Sequence, residues 1–267
     1  MIPHELFLRF YNTTCTHVNT STGLTGKGTV LTTAMVLASS KIVCILLDRG
    51  LDPMQSDISG IFPFMYAASW NRVDNVKYWL ERFPDWNLEF ANEFLGGVAL
   101  GCCVYLGPNR LQLTKLLLKH GAKIDTKTHS GGTILISAVD NQDADPNVIR
   151  LLLEHGTNVN EKICARTGKW KLIHFVAKMC TRIRSKKTSG LMRAIGRDSG
   201  STALHYAAMR GDMEIVEILL SEGADPSLKN DIGQDAAAMC QSFPELKGML
   251  EKRERKMKLR GRVKKNR

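Results

Sequence analysis

No stretch of the chain approaches the ~18 consecutive apolar residues that a membrane-spanning helix needs. The first residues, Met1-Ile2-Pro3-His4-Glu5, lack the basic lead and apolar run of a secretory signal. Paired-cysteine spacing is missing as well. The seven cysteines, at 15, 44, 102, 103, 164, 180 and 240, form an odd set without a Cys-x-x-Cys, which fits neither a disulfide framework nor a zinc ribbon. Together these gaps point to a reducing compartment, the cytoplasm, the nucleus or both. Proline is scarce, with 8 in 267 residues, and 43% of the chain is hydrophobic, so collagen-like and wholly disordered classes are excluded. The length exceeds that of a usual single-core domain, leaving two domains or a repeat array as the alternatives.

What is abundant is positive charge, a formal +11, and it is unevenly placed. Residues 162–197 carry 11 Lys and Arg and no acid, and residues 247–267 carry 11 against Glu251 and Glu254. The other 210 residues hold 15 basic and 24 acidic side chains, so a mildly acidic body bears two strongly basic segments.

The body repeats itself. Gly200-Ser-Thr202-Ala-Leu204-His205-Tyr-Ala207-Ala208 is followed by Gly211-Asp212, by Ile215-Val216-Glu-Ile218-Leu219-Leu220, and by Gly223-Ala224-Asp225. The apolar spacing predicts two short helices in a hairpin, with Gly211 between them and Gly223 at the closing turn. Further copies start near Thr29, Phe62, Gly97 and Thr133, with extra residues around Leu106-Gly107-Pro108 and Gln142–Pro146 that fall in the helix-joining turns, where added length costs little. Lys171-Leu172-Ile173-His174-Phe175-Val176-Ala177 reads as the opening of a degenerate fifth copy, and Asp235-Ala-Ala-Ala238 as a seventh ending near Leu250.

This pattern resembles the ankyrin repeat, a unit of ~33 residues with a Thr-Pro-Leu-His-x-Ala signature, and Thr202–Ala208 is its best copy. The resemblance covers roughly 29–250. It implies an all-α solenoid of about seven helix-turn-helix units with turn or β-hairpin fingers, starting near 29, 62, 97, 133, 171, 202 and 235, the fifth irregular and basic. Such units bury their apolar faces only against neighbours. Residues 1–28 are then an N-terminal helix (3–11) and a connector, and 251–267 a basic tail that extends the last helix and frays.

Fragments that mimic catalytic motifs have structural explanations. Gly23-Leu-Thr-Gly26-Lys27-Gly28 has a glycine where a phosphate-binding loop needs a hydroxyl, and Asp198-Ser199-Gly200 is a turn ahead of a helix with no base beside it. His120 and His155 sit at helix C-termini, where a donor or cation is favoured. His174 and His205 occupy the position of the motif histidine, which in the resembled family makes structural hydrogen bonds. Cys102-Cys103 replaces a packed Ala-Ala pair. No metal site, cofactor or catalytic residue is expected.

The resemblance implies instead non-catalytic protein binding by a scaffold or adaptor, through the concave face and the turn tips. The positions concerned are Trp70, His129, Trp170, Lys178, Met179, Ser199, Met209 and Arg210, with Trp70, Trp170 and Arg210 as anchors because aromatic and Arg side chains dominate interfaces. Arg182, Arg184, Lys186, Lys187, Arg193 and Arg197 form a basic patch. A helix over the first half of 162–197 separates an apolar from a cationic face. These charges suit an acidic or extended protein segment, met by a monomer. The alternative is a nuclear protein that binds nucleic acid through the basic patch and the tail. In the tail, Lys252, Arg253, Arg255, Lys256, Lys264 and Lys265 make a nuclear-import candidate. Asn160 resembles the turn asparagine that is hydroxylated in some ankyrin proteins.

Overall fold

A computed structural model describes residues 29–57, 60–93, 95–182, 195–196, 198–240 and 242–265. The expected helix at 3–11, the connector at 12–28 and the phosphate-loop mimic at 23–28 lie outside them. Among the described residues, thirteen helices can be given bounds, in chain order. They are α1 Val30–Leu37, α2 Ser40–Asp48, α3 Pro63–Ser69, α4 Val73–Arg82, α5 Ala99–Tyr105, α6 Leu111–Lys119, α7 Ile134–Asp140, α8 Pro146–Glu154, α9 Gly168–Arg182, α10 Ala203–Arg210, α11 Met213–Ser221, α12 Ala236–Met239 and α13 Pro244–Lys265. The all-α expectation holds: among the described residues there is no strand, and the fingers are turns closed by isolated backbone hydrogen bonds.

Each hairpin forms for local reasons. Thr29 caps α1 by accepting the Thr32 amide, and Asp212 and Asp235 do the same for α11 and α12. Four hairpins end on a glycine in the left-handed region, Gly50, Gly121, Gly156 and Gly223, at φ +86 to +88°. The second hairpin has no such glycine. There the chain breaks at Phe83-Pro84, and Trp86 comes back to within 5.1 Å of Trp79, edge to face.

The described residues divide into two compact units, one within 29–129 and 141–148, the other within 130–140 and 149–265. In the first, α1 packs on α3 and α3 on α5; in the second, α7 packs on α10 and α10 on α12. A recurrent clamp ties neighbours together. Carbonyls at the C-terminal ends of α1, α3, α5 and α7 fall beyond the regular helical ladder, and a side chain from the next hairpin donates to them. Arg72 donates to Ala38 O (3.1 Å), Asn75 to Met35 O and Ala38 O (2.9 and 3.0 Å), and Arg110 to Ala68 O (3.5 Å). Asn141 donates to Val104 O and Gly107 O (3.1 and 2.9 Å), and Arg210 to Asp140 O (3.2 Å). Asn75 is buried, so Asn75→Ala strands Met35 O and leaves Ala38 O to Arg72 alone, and it is expected to lower stability by about 1–3 kcal/mol in urea unfolding.

The clamp also locates an insertion. Donor and acceptor lie 34–42 residues apart in every case but the last, where Arg210 reaches back 70 to Asp140. The fingers agree. Asp57 N donates to Ile61 O, Asn92 N to Gly97 O and Asn230 N to Gln234 O, each acceptor preceding the N-cap of a first helix and each tip spanning three or four residues. Ile163 N donates in the same way to Ser201 O (2.9 Å), just before the N-cap Thr202, but this tip runs from 164 to 200. In the fifth unit, expected to be irregular, Lys171–Ala177 belongs to a helix set into a finger tip, and α7 stacks directly on α10. Beside it, the described residues form six helical hairpins. Adding length to a loop whose ends are already held costs little, so the stack tolerates it.

Candidate functional site

The inserted helix organises the region around the expected site residues. On its inner face Trp170, His174 and Ala177 are buried, with the Trp170 and His174 rings edge to face at 6.1 Å. Lys178 Nζ lies 3.7 Å from Asp231 Oδ2. The same carboxylate oxygen accepts the Ser199 hydroxyl at 2.7 Å, and Asp231 N donates to Ser199 O at 2.9 Å. A Cβ on Gly200, at φ +74°, would meet Asp231 at 2.6 Å, so only glycine lets the two tips approach this closely. Lys178, Ser199 and Asp231 thus form one polar junction that fastens the insertion to the next finger. Asp231 escapes a sequence reading because it lies 32 residues, a whole unit, from the Ser199 that it joins.

Beneath it, Arg210 is a clamp, and Met209 beside it is half-buried. Burial pushes the Asp140 carboxyl up to about 7, with the nearby Asp198 charge adding to the effect. A carboxyl whose folded value exceeds its ordinary one takes up protons on folding, so its burden on stability grows from about pH 4 to about pH 7 and then levels. Asp140→Asn is expected to raise the urea midpoint at pH 8 and to have almost no effect at pH 4.

His205 is a structural histidine, as its motif position implies. Thr202 N donates to Nδ1 at 3.2 Å, which leaves Nε2–H to donate to Gln234 O at 3.1 Å and bridge two neighbouring units. Burial lowers its pKa and keeps the ring neutral. His174 departs from that role: it lies in the insertion against Trp170, and its pKa is lowered first by burial. His120 and His155 contact Leu116 O and Leu151 O through Nδ1, at 2.9 and 2.8 Å, at the ends of α6 and α8. Burial pushes the Cys102 and Cys103 thiols up to about 11 and about 12, the reverse of what a reactive thiolate needs.

The other site residues are not brought together. Trp70 caps the C-terminus of α3 and is 42% exposed. His129, half-buried, donates its amide to Leu95 O at 2.8 Å. Met179 lies on the outer side of α9. Trp170 is buried rather than offered to a partner, because α9 uses it to pack. Arg182 ends α9, while Arg184, Lys186, Lys187, Arg193 and Arg197 lie outside the described residues. In the tail, α13 continues to Lys265, with Lys252, Arg253 and Lys256 exposed and Arg255 3.5 Å from Glu251; Lys264 and Lys265 are its last residues. The Asn160 amide is engaged on both sides, donating to Gly223 O at 3.0 Å and accepting from Asp225 N at 2.8 Å. No described helix is long and apolar enough to cross a membrane.

Known proteins match on either side of the insertion. A model of three ankyrin repeats matches residues 64–163, and a single ankyrin-repeat model matches 199–231. Similar curated proteins include the B-cell lymphoma 3 protein homolog of Mus musculus, 28% identical over 76% of this chain and 37% of that one. The ankyrin repeat protein nuc-2 of Neurospora crassa is 27% identical over 77% and 19%. The mitochondrial disaggregase of Bos taurus is 27% identical over 64% and 28%. The chain thus spans well under half the length of these relatives. Among solved structures, the ankyrin repeat domain of Bcl-3, described as a member of the IkappaB protein family, superposes with a TM-score of 0.59. It is 26% identical, over 84% of this chain and 82% of that one.

Proposed function

The chain belongs to the ankyrin repeat family, and from that premise we propose that it is a non-catalytic scaffold or adaptor that holds a protein partner. Ankyrin repeats are generally interaction modules, and rigid stacks of short hairpins offer extended surfaces rather than enclosed pockets. The observation that carries the reading is the division of labour in the hairpins. Their inner polar groups are used up in clamps between units, while Trp70, at the end of a first helix, keeps its large ring exposed. An exposed Trp is the kind of side chain that anchors an interface. The partner is an acidic or extended protein segment, matched to a chain whose basic residues concentrate in 162–197 and 247–267. The chain works as a monomer in the cytoplasm, the nucleus or both, and the α13 cations serve nuclear import.

Affinity capture from nuclease-treated lysate tests this. A protein retained by the full chain and lost with Trp70→Ala supports the scaffold. Binding to RNA or DNA that falls steeply with salt, and disappears when 251–267 are removed, would instead favour the nucleic-acid reading.

A further inference from the structure

Helix α9 has two apolar faces, and the array uses only one. Opposite the buried Trp170, His174 and Ala177, the side chains of Leu172, Phe175, Val176 and Met179 are 63, 61, 40 and 40% exposed. Steps of three, four and seven residues place these four on one stripe about 10 Å long, two turns of helix. Nothing in the stack requires them, since α7 packs on α10 without the insertion. Bulky apolar groups gathered on an ordered surface usually mark a contact. The charge that α9 itself carries is of one sign. Lys169 and Lys171 are exposed at the margins of the stripe, and the segment from 162 to 197 holds no Asp or Glu.

We propose that the Leu172–Met179 stripe is the docking site for an amphipathic helix of a partner protein, whose apolar face is bordered by Asp and Glu. The proposal rests on the scaffold reading but places this contact on the inserted helix rather than on the ends of the first helices. Two turns of stripe match two turns of a helix lying along it, with the lysines at the edges meeting carboxylates. A second copy of this chain is a poor occupant, because its own stripe is edged with the same positive charge. A membrane surface also fits less well. Surface helices lie with the apolar face sunk ~5–10 Å into the lipid, whereas α9 is fixed by its buried inner face and tied through Lys178 to the half-exposed acidic Asp231.

The test uses the full chain and a labelled synthetic helix carrying Leu at positions spaced three, four and seven, bordered by Glu. A second peptide has the same apolar face bordered by Lys. Fluorescence anisotropy is expected to show binding of the Glu peptide, weakened about tenfold or more by Phe175→Asp, by Leu172→Asp and by the switch to Lys, and unchanged by Trp70→Ala. Both stripe positions are exposed, so unfolding curves of these variants should match the parent and exclude misfolding as the cause. Equal binding of the two peptides, binding indifferent to both stripe substitutions, or no binding overturns the proposal. So does a stripe-dependent preference for phosphatidylserine vesicles, or self-association abolished by Phe175→Asp. A partner captured through Trp70 while the Glu peptide fails to bind leaves the scaffold standing and removes only this site; failure of both removes both.

Discussion

Gly131→Ala is expected to destabilise the second compact unit by about 3–5 kcal/mol, enough to leave it largely unfolded at 37 °C. Two costs combine. Gly131 sits at φ +93°, a conformation that side chains with a Cβ rarely adopt, and an added Cβ would lie 2.2 Å from the carbonyl oxygen of Cys164. The obstacle is backbone, on both sides of the Cys164 peptide, so no side-chain rotation relieves it. Cys164 is also the first residue of the expanded tip, directly after Ile163, whose amide and carbonyl pair with Ser201 and Gly200. Pushing it away loosens the closure on which α7-to-α10 stacking depends. Gly156→Ala is the informative control: its φ is +86°, but a Cβ there meets nothing within 4 Å, so only the conformational cost applies. Circular dichroism during urea unfolding separates the two, with a loss of about 1 kcal/mol expected for the control.

Trp79→Ala should cost a similar amount in the other unit, about 3–5 kcal/mol. Trp79 is fully buried and is the hub of an aromatic cluster, with Phe83 and Trp86 each 5.1 Å away and Phe64 at 6.1 Å. This cluster does what a closing glycine does in other hairpins: it fixes the path of the chain after α4. Removing the indole leaves a cavity and frees Phe83 and Trp86 together. Trp79→Phe keeps most of the volume and should cost less than half as much. Tryptophan fluorescence followed through urea unfolding checks both.

Most of the fold could be read from the residues. The closing glycines announce themselves because only a left-handed turn suits them, and Thr202-x-x-His205 carries its capping geometry in its spacing. Trp79 stands in register with the paired leucines of other second helices, and it is fully buried. The insertion was not legible, for a physical reason. An inserted helix that packs on one side and presents an apolar stripe on the other has the same binary pattern as a repeat helix with two neighbours. Leu172-Ile173-His174 even supplies a histidine in the motif position, although His174 faces Trp170 and plays no part in a turn. What separates the two cases is pairing between distant residues: Ile163 with Ser201, Arg210 with Asp140, and Gly131 against Cys164. None of these leaves a local signature. The site residues divide along the same line. Trp70 was identifiable as an exposed aromatic at a helix end, whereas Trp170 and Arg210 look equally available in sequence and turn out to be packing and clamp residues.

The central claim is that α9 sits within a finger and is no unit of the stack. Deleting residues 165–198 tests it most directly, because the deletion leaves Cys164-Ser199-Gly200 as a three-residue tip like that at 231–233, still closed by the Ile163-to-Ser201 hydrogen bond. The shortened chain is expected to lose only the helical signal of the deleted residues and still to unfold cooperatively in urea, with a lower midpoint from the loss of the Trp170 packing and the Lys178–Asp231 junction. A chain that loses more helix than the 34 deleted residues could contain, or that shows no cooperative transition, would contradict it.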